Sequence, residues 1–170
     1  MAPGGSTASS GCHKRITHVV ENLNRGGLER VVIDLVEQQQ TLGHACQVIC
    51  LFEPGQLAPE IERLGVPIVS CNKRYGVDFA ALRSMRAAIL DHRPDVLHTH
   101  NAMAHYYAVL ASVFLNIRRI NTRHGMANYP FSRKRELLYR FAMSFSDIGA
   151  VVCDKAKENF LRYHIIPAAK

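Results

Sequence analysis

The sequence has no tryptophan, no C-x-x-C pair, no zinc-finger spacing and no RNP-like aromatic motif. With its basic residues scattered as Lys73-Arg74, Arg118-Arg119 and Arg133-Lys134-Arg135, it does not read as a nucleic-acid binder. The full G-x-G-x-x-G pattern is also missing at Asn24 to Glu29, which argues against a dinucleotide enzyme. No apolar run is long enough to span a membrane, and Met1 to Gly11 is Gly, Ser, Ala and Pro without the charged-then-apolar order of a secretory leader. Residues 1–14 are therefore expected to be a disordered tail on a cytoplasmic protein. The five cysteines, Cys12, Cys46, Cys50, Cys71 and Cys153, are an odd set that falls mostly in or beside strand-like apolar runs. They read as buried, reduced thiols. Acidic residues are in short supply, 14 against 21 Lys and Arg, and the net charge of +7 favours an anionic partner such as a nucleotide diphosphate or a lipid headgroup surface.

What the chain does have is apolar content, 48% of its 170 residues, enough for one domain with a substantial core and too little length for a second. From Arg15 onward strand-like runs alternate with amphipathic helix patterns, the signature of βαβ units in a parallel sheet. Strands are predicted at residues 16–21, 47–52, 66–71, 95–100, 119–124 and 147–153. Helices are predicted after the glycines to Gly43, over 59–64, 78–92, 102–115 and 131–145, and from a cap at Asp154 to Tyr163. Asp78 is the expected cap of the 78–92 helix. The fold class is α/β: a Rossmann-like, doubly wound parallel sheet with helices on both faces, spanning 15–170.

In such a sheet ligands bind outside the carboxyl ends of the strands. The polar residues predicted there are Asn22, Asn24, Arg25, Gly26 and Gly27 after the first strand, His98, His100 and Asn101 after the fourth, and His124, Gly125 and Asn128 after the fifth. Paired glycines at a helix start let backbone amides approach an anion without Cβ clashes, so Gly26-Gly27 is where a phosphate is expected. The same pair would also serve as a plain tight connection between strand and helix.

Taken in order, Gly26-Gly27-Leu28-Glu29-Arg30-Val31-Val32-Ile33-Asp34-Leu35, Leu42-Gly43-His44, Pro94-Asp95-Val96-Leu97-His98-Thr99-His100, Thr122-Arg123-His124-Gly125 and Val152-Cys153-Asp154 resemble the N-terminal, acceptor-binding half of a GT-B-fold glycosyltransferase, in particular retaining family 4. The resemblance runs from Ile16 to Lys170. It implies an enzyme that moves a hexose, with retention, from a nucleotide sugar to a saccharide or lipid-linked acceptor, as in polysaccharide biosynthesis. On the same ground Gly26 and Gly27 would lie near the donor diphosphate. His124 would be the catalytic residue, facing the transferred sugar and acting by positioning and charge stabilisation rather than by attack. Arg25, His100 and Asn101 are the acceptor-side candidates. The nucleotide would be substrate and no cofactor is implied. The chain stops about where the family enters its C-terminal nucleotide-binding domain, so this fragment is expected not to turn over alone. Glu29 and Glu37 mimic that domain's E-x7-E spacing, but on the first helix they are offset by roughly 80 degrees. They read as a first-turn acid and a solvated face residue.

Several readings remain beside these. His98 and His100 alternate on a strand and share a face, which raises a metal site with His105 or His124 as third ligand, but no carboxylate or thiol stands at matching spacing. No metal is expected. His13, His18, His44, His92 and His164 form no constellation in the sequence. On the 131–145 helix Arg133, Lys134, Arg135 and Arg140 oppose Leu137, Leu138, Phe141 and Phe145. Either the basic side is solvated over a packed apolar side, or the helix makes peripheral contact with an anionic inner-membrane surface. The competing functional reading is a naturally short, non-catalytic saccharide- or nucleotide-binding module, or a subunit completed by a partner chain.

Overall fold

The computed structural model describes residues 13–124, 133–154 and 156–158, with the side chains of 133–136 outside the description. Gly125, Asn128 and Cys12 lie outside it. The elements run β1 (Arg15–Val20), α1 (Gly27–Thr41), β2 (Ala45–Cys50), α2 (Ala58–Arg63), β3 (Ile68–Ser70), α3 (Phe79–His92), β4 (Val96–Thr99), α4 (Ala102–Ala111), β5 (Arg118–Arg123), α5 (Arg133–Ser144) and β6 (Ile148–Val151). Every strand pairing is parallel, in the order β3-β2-β1-β4-β5-β6. This is the Rossmann-like, doubly wound α/β sheet expected from the alternation. Its order reverses between β1 and β4, where connecting loops diverge and leave a crevice.

Side-chain alternation divides the core in two. Ile16, Val20, Val48 and Cys50 pack against Val32, Ile33 and Val36 of α1 and Ile61 of α2. Val19, Ile49 and Leu97 pack on the opposite face against Met85 and Ile89 of α3 and Ala104 and Ala108 of α4. Helix boundaries follow local chemistry. Leu42 caps α1, and Gly43 follows with φ +83, the left-handed conformation glycine adopts without Cβ strain. Asp78 caps α3, its Oδ1 accepting from the amides of Ala80 and Ala81 at 3.0 and 3.2 Å. Its Oδ2 accepts from the backbone amide and guanidinium of Arg74, which together hold the carboxyl well below the usual carboxylate range. Asp78→Ala is expected to lower the melting temperature by several degrees in a thermal scan, and Asp78→Asn, which keeps the cap acceptor, by less. Equal melting of all three proteins would remove the cap from the account.

The structure amends several expectations. Helix α4 ends at Ala111, short of Leu115, because the chain turns through Phe114 at φ +63 and the Arg119 guanidinium ties down the Ser112 and Leu115 carbonyls at 2.7 and 3.3 Å. His13 and Lys14, assigned to the tail, belong to the fold: His13 Nδ1 lies 2.6 Å from the Gly43 carbonyl, and Lys14 accepts the Ala45 amide. Cys46, Cys50 and Cys71 are buried thiols, but Cys153 is exposed. Helix α5 is rotated from its expected facing. Among the described residues of the helix, Tyr139, Ala142 and Met143 are buried, while Leu137 and Phe141 are 68% and 62% exposed and Leu138, with Phe145 just past the helix end, is also at the surface. Of the last helix only residues 154 and 156–158 are described, in a turn where the Lys157 amide donates to the Cys153 carbonyl.

Candidate functional site

The segment after β1 is held to the neighbouring loop before it reaches α1. Leu23 is fully buried, its amide donates to the Pro54 carbonyl at 2.7 Å, and its carbonyl accepts from Leu57. Gly55 permits this approach, since a Cβ there would meet the Leu23 and Asn24 backbone at 2.7–2.8 Å. Gly26 is then the N-cap of α1 with an extended backbone and no side chain to close the helix end. The first amides of α1 have no intrahelical acceptor and face outward from a positive dipole end. A Cβ on Gly26 would run into the Glu29 carboxylate, which folds back over the turn, whereas the space beside Gly27 is open.

That space belongs to an open cleft of about 520 Å³ lined by Gly27, Leu28, Glu29, Val31, His124 and Val152. The structure thus brings Gly27 and His124 to one cleft from β1 and β5, which are not adjacent in the sheet. Arg25 is exposed beside the turn. Asn101 is the N-cap of α4 but makes no capping bond, and its Oδ1 is buried without a hydrogen-bond partner among the described residues. A buried acceptor left in that state costs about 1–3 kcal/mol, so it is poised for a donor.

His100, expected on the acceptor side, has no exposed surface and reaches the cleft only through His124. It lies in a row that the sequence did not disclose. His18 of β1 stands opposite His98 of β4 in the strand register, and its Nδ1 is 2.9 Å from His100 Nε2. The His18 and His100 rings stack at 5.2 Å between centroids, and His98 lies 4.2 Å from His100 with its Nε2 2.8 Å from Thr122 Oγ1. His100 Nδ1 faces His124 Nε2 at 3.3 Å. Burial pushes His18 down to about 4 and His98 to about 3, sends His100 well below the ordinary imidazole value, and lowers half-buried His124 as well. All four rings are neutral near pH 7.

His18, His98 and His100 each offer a ring nitrogen within 4.8 Å of the others. The third member is His18, rather than the His105 or His124 considered from spacing. His105 lies on the other face, between Thr99 Oγ1 at 2.9 Å and Ser146 Oγ at 3.0 Å. A second hollow, about 350 Å³, opens beside Asn22, Asn24, Glu53, Gly55, Asn72 and Lys73 at the ends of β1 to β3. Lys73 Nζ lies over the Phe52 and Tyr107 rings at 5.6 and 5.4 Å and donates to the Arg74 and Gly76 carbonyls. In the sequence it was one scattered basic residue; only its place among strand ends marks it.

The sequence model of Glycosyltransferase Family 4 matches residues 25–170. No curated protein matches the sequence. Among solved structures, a glycosyltransferase from Rickettsia africae superposes with a TM-score of 0.76 at 21% identity, over 94% of this chain and 42% of that one. HepE of Anabaena in complex with UDP gives 0.73 at 14% identity, over 92% and 42%. UDP-GlcNAc 2-epimerase from Methanocaldococcus jannaschii gives 0.60 at 14%, over 89% and 43%. At these identities the likeness is one of fold, and the chain spans under half the length of each of these structures.

Proposed function

Because the chain belongs to Glycosyltransferase Family 4, we propose that it forms the acceptor-facing half of a GT-B enzyme that transfers a hexose from a nucleotide sugar, with retention, to a saccharide or lipid-linked acceptor. The observation that carries this reading is the common cleft of Gly27 and His124, where an uncapped helix start and a strand-end imidazole meet one open space. The donor diphosphate would lie against the amides of Gly26 and Gly27, an anion at a positive helix end. His124 would face the transferred sugar. Arg25 and Asn101 would serve the acceptor, with His100 acting from beneath through His124. A C-terminal domain would hold the nucleotide opposite and close the cleft against water.

The facing of α5 favours work at a membrane surface. Leu137 and Phe141 stand at i and i+4 on its exposed side, and Phe145, just past its end, is also exposed and meets Phe141 edge-on at 5.2 Å between centroids, with exposed Arg140 nearby. An exposed apolar stripe beside a basic side chain suits an interfacial helix. No helix among the described residues is long and apolar enough to cross a membrane.

His124→Ala in the complete transferase is expected to lower kcat about 10²-fold, the scale for removing one well-placed polar group, while the protein remains folded by circular dichroism. Unchanged turnover would take His124 out of the site.

A further inference from the structure

The proposed site leaves unexplained why three further imidazoles, two of them fully buried, stand behind the one that lines the cleft. Gln39 of α1, His18 of β1, His100 after β4 and His124 after β5 are joined end to end. Gln39 Oε1 lies 2.7 Å from His18 Nε2, His18 Nδ1 2.9 Å from His100 Nε2, and His100 Nδ1 3.3 Å from His124 Nε2. The Cys46 thiol donates to the same Gln39 oxygen at 3.6 Å, which orients the amide. His98 packs against the row and is tied instead to Thr122.

Such a row has a direction. An amide oxygen only accepts, so His18 Nε2 must carry a proton; a neutral imidazole has one N–H, so His18 Nδ1 accepts. His100 Nε2 must then donate and its Nδ1 accept, and the same step makes His124 Nε2 a donor. We propose that Gln39, His18 and His100 are positioning residues that fix His124 as its Nε2–H tautomer, leaving an unprotonated Nδ1 as the acceptor offered to the cleft. Burial keeps each ring neutral, so the direction set at Gln39 is carried intact to His124.

The chemical consequence rests on the reading of His124 as facing the transferred sugar. A lone pair at Nδ1 pairs with a hydroxyl and repels a phosphate oxygen. His124 is thereby suited to hold a sugar hydroxyl, and the diphosphate is left to the amides of α1. This replaces the charge-stabilising part expected of His124 with that of a neutral acceptor. The row also uses all four ring nitrogens of His18 and His100, leaving none for a metal ion.

The test is long-range 1H–15N correlation on the 170-residue chain labelled at histidine nitrogens, with the His124 signals assigned by their loss in His124→Gln. The expected spectrum has one dominant His124 tautomer, protonated at Nε2 and bare at Nδ1. Gln39→Leu should convert it to a mixture of tautomers, and Gln39→Glu, which retains an accepting oxygen, should preserve it. A purely structural role for Gln39 would not produce that difference. The opposite tautomer in the unsubstituted chain would overturn the proposal without any variant having to fold. So would an unchanged His124 pattern in Gln39→Leu, or stoichiometric uptake of Zn²⁺ that moves the His18 and His100 signals. If the tautomer is as expected while His124→Ala leaves transfer intact, the row stands and the sugar-facing role falls.

Discussion

Acidification from about pH 7 to about pH 5 is expected to strip several kcal/mol from the folding stability, far more than surface carboxylates would account for. His18, His98 and His105 are held neutral by burial, at about 4, 3 and 4 against an ordinary 6.5. The unfolded chain takes up protons as the pH falls through 6.5, and the folded chain does not until the lower values are reached. Stability from these groups is therefore complete above 6.5 and is lost between there and about 4 to 3, at roughly 1.4 kcal/mol per pH unit for each histidine. By about pH 5 that is about 2 kcal/mol each, and His100 adds in the same direction. No second charge enters the row easily, because His18, His98 and His124 all oppose protonation of His100. Urea unfolding across this range tests it. His18→Gln should reduce the slope of stability against pH by about one proton, and an unaltered slope would mean that His18 is not the buried neutral group described.

Asn121→Leu is expected to destabilise the fold by about 2–4 kcal/mol, although it adds apolar surface to a site that is already 1% exposed. Asn121 Nδ2 donates to Thr99 Oγ1 at 2.8 Å and to the Thr99 carbonyl at 3.3 Å, and its Oδ1 accepts from the Tyr139 hydroxyl. Thr99 continues to His105 and His105 to Ser146, so one side chain joins β4, β5, α4 and α5 on the face away from the histidine row. Leucine supplies neither donor nor acceptor to these groups. A double-mutant cycle measures the coupling: in a Tyr139→Phe background Asn121→Leu should cost at least 1 kcal/mol less than it does alone. Strict additivity would show that the two residues are not energetically joined.

The same face explains why α5 leaves its large apolar residues outside. Its helical period is plain in the sequence, and so is its mixture of basic and large apolar residues. Leu137, Leu138, Phe141 and Phe145 look like the natural core stripe because hydrophobicity alone ranks them above Tyr139 and Ala142. The buried hydrogen-bond acceptor on Asn121 draws Tyr139 inward, and the Arg123 guanidinium lies over its ring at 4.7 Å. Polar pairing between elements outweighed hydropathy within one, and no local pattern records a pairing of that kind.

The sequence by itself determined the parallel α/β sheet, the place of most helix starts and stops, the glycine-led opening of α1 and the loops that carry Arg25, Asn101 and His124. These are local matters: alternation with periods of two and 3.6 residues, a capping Asp78, a left-handed Gly43, each legible within a few residues. Tertiary structure alone decided what those loops share. His18 and His100 are 82 residues apart in the chain, and they meet because β4 pairs with β1 across the reversal of strand order. That pairing depends on non-local strand register, so neither the burial of His100 nor the direction of the row behind His124 could be read from spacing.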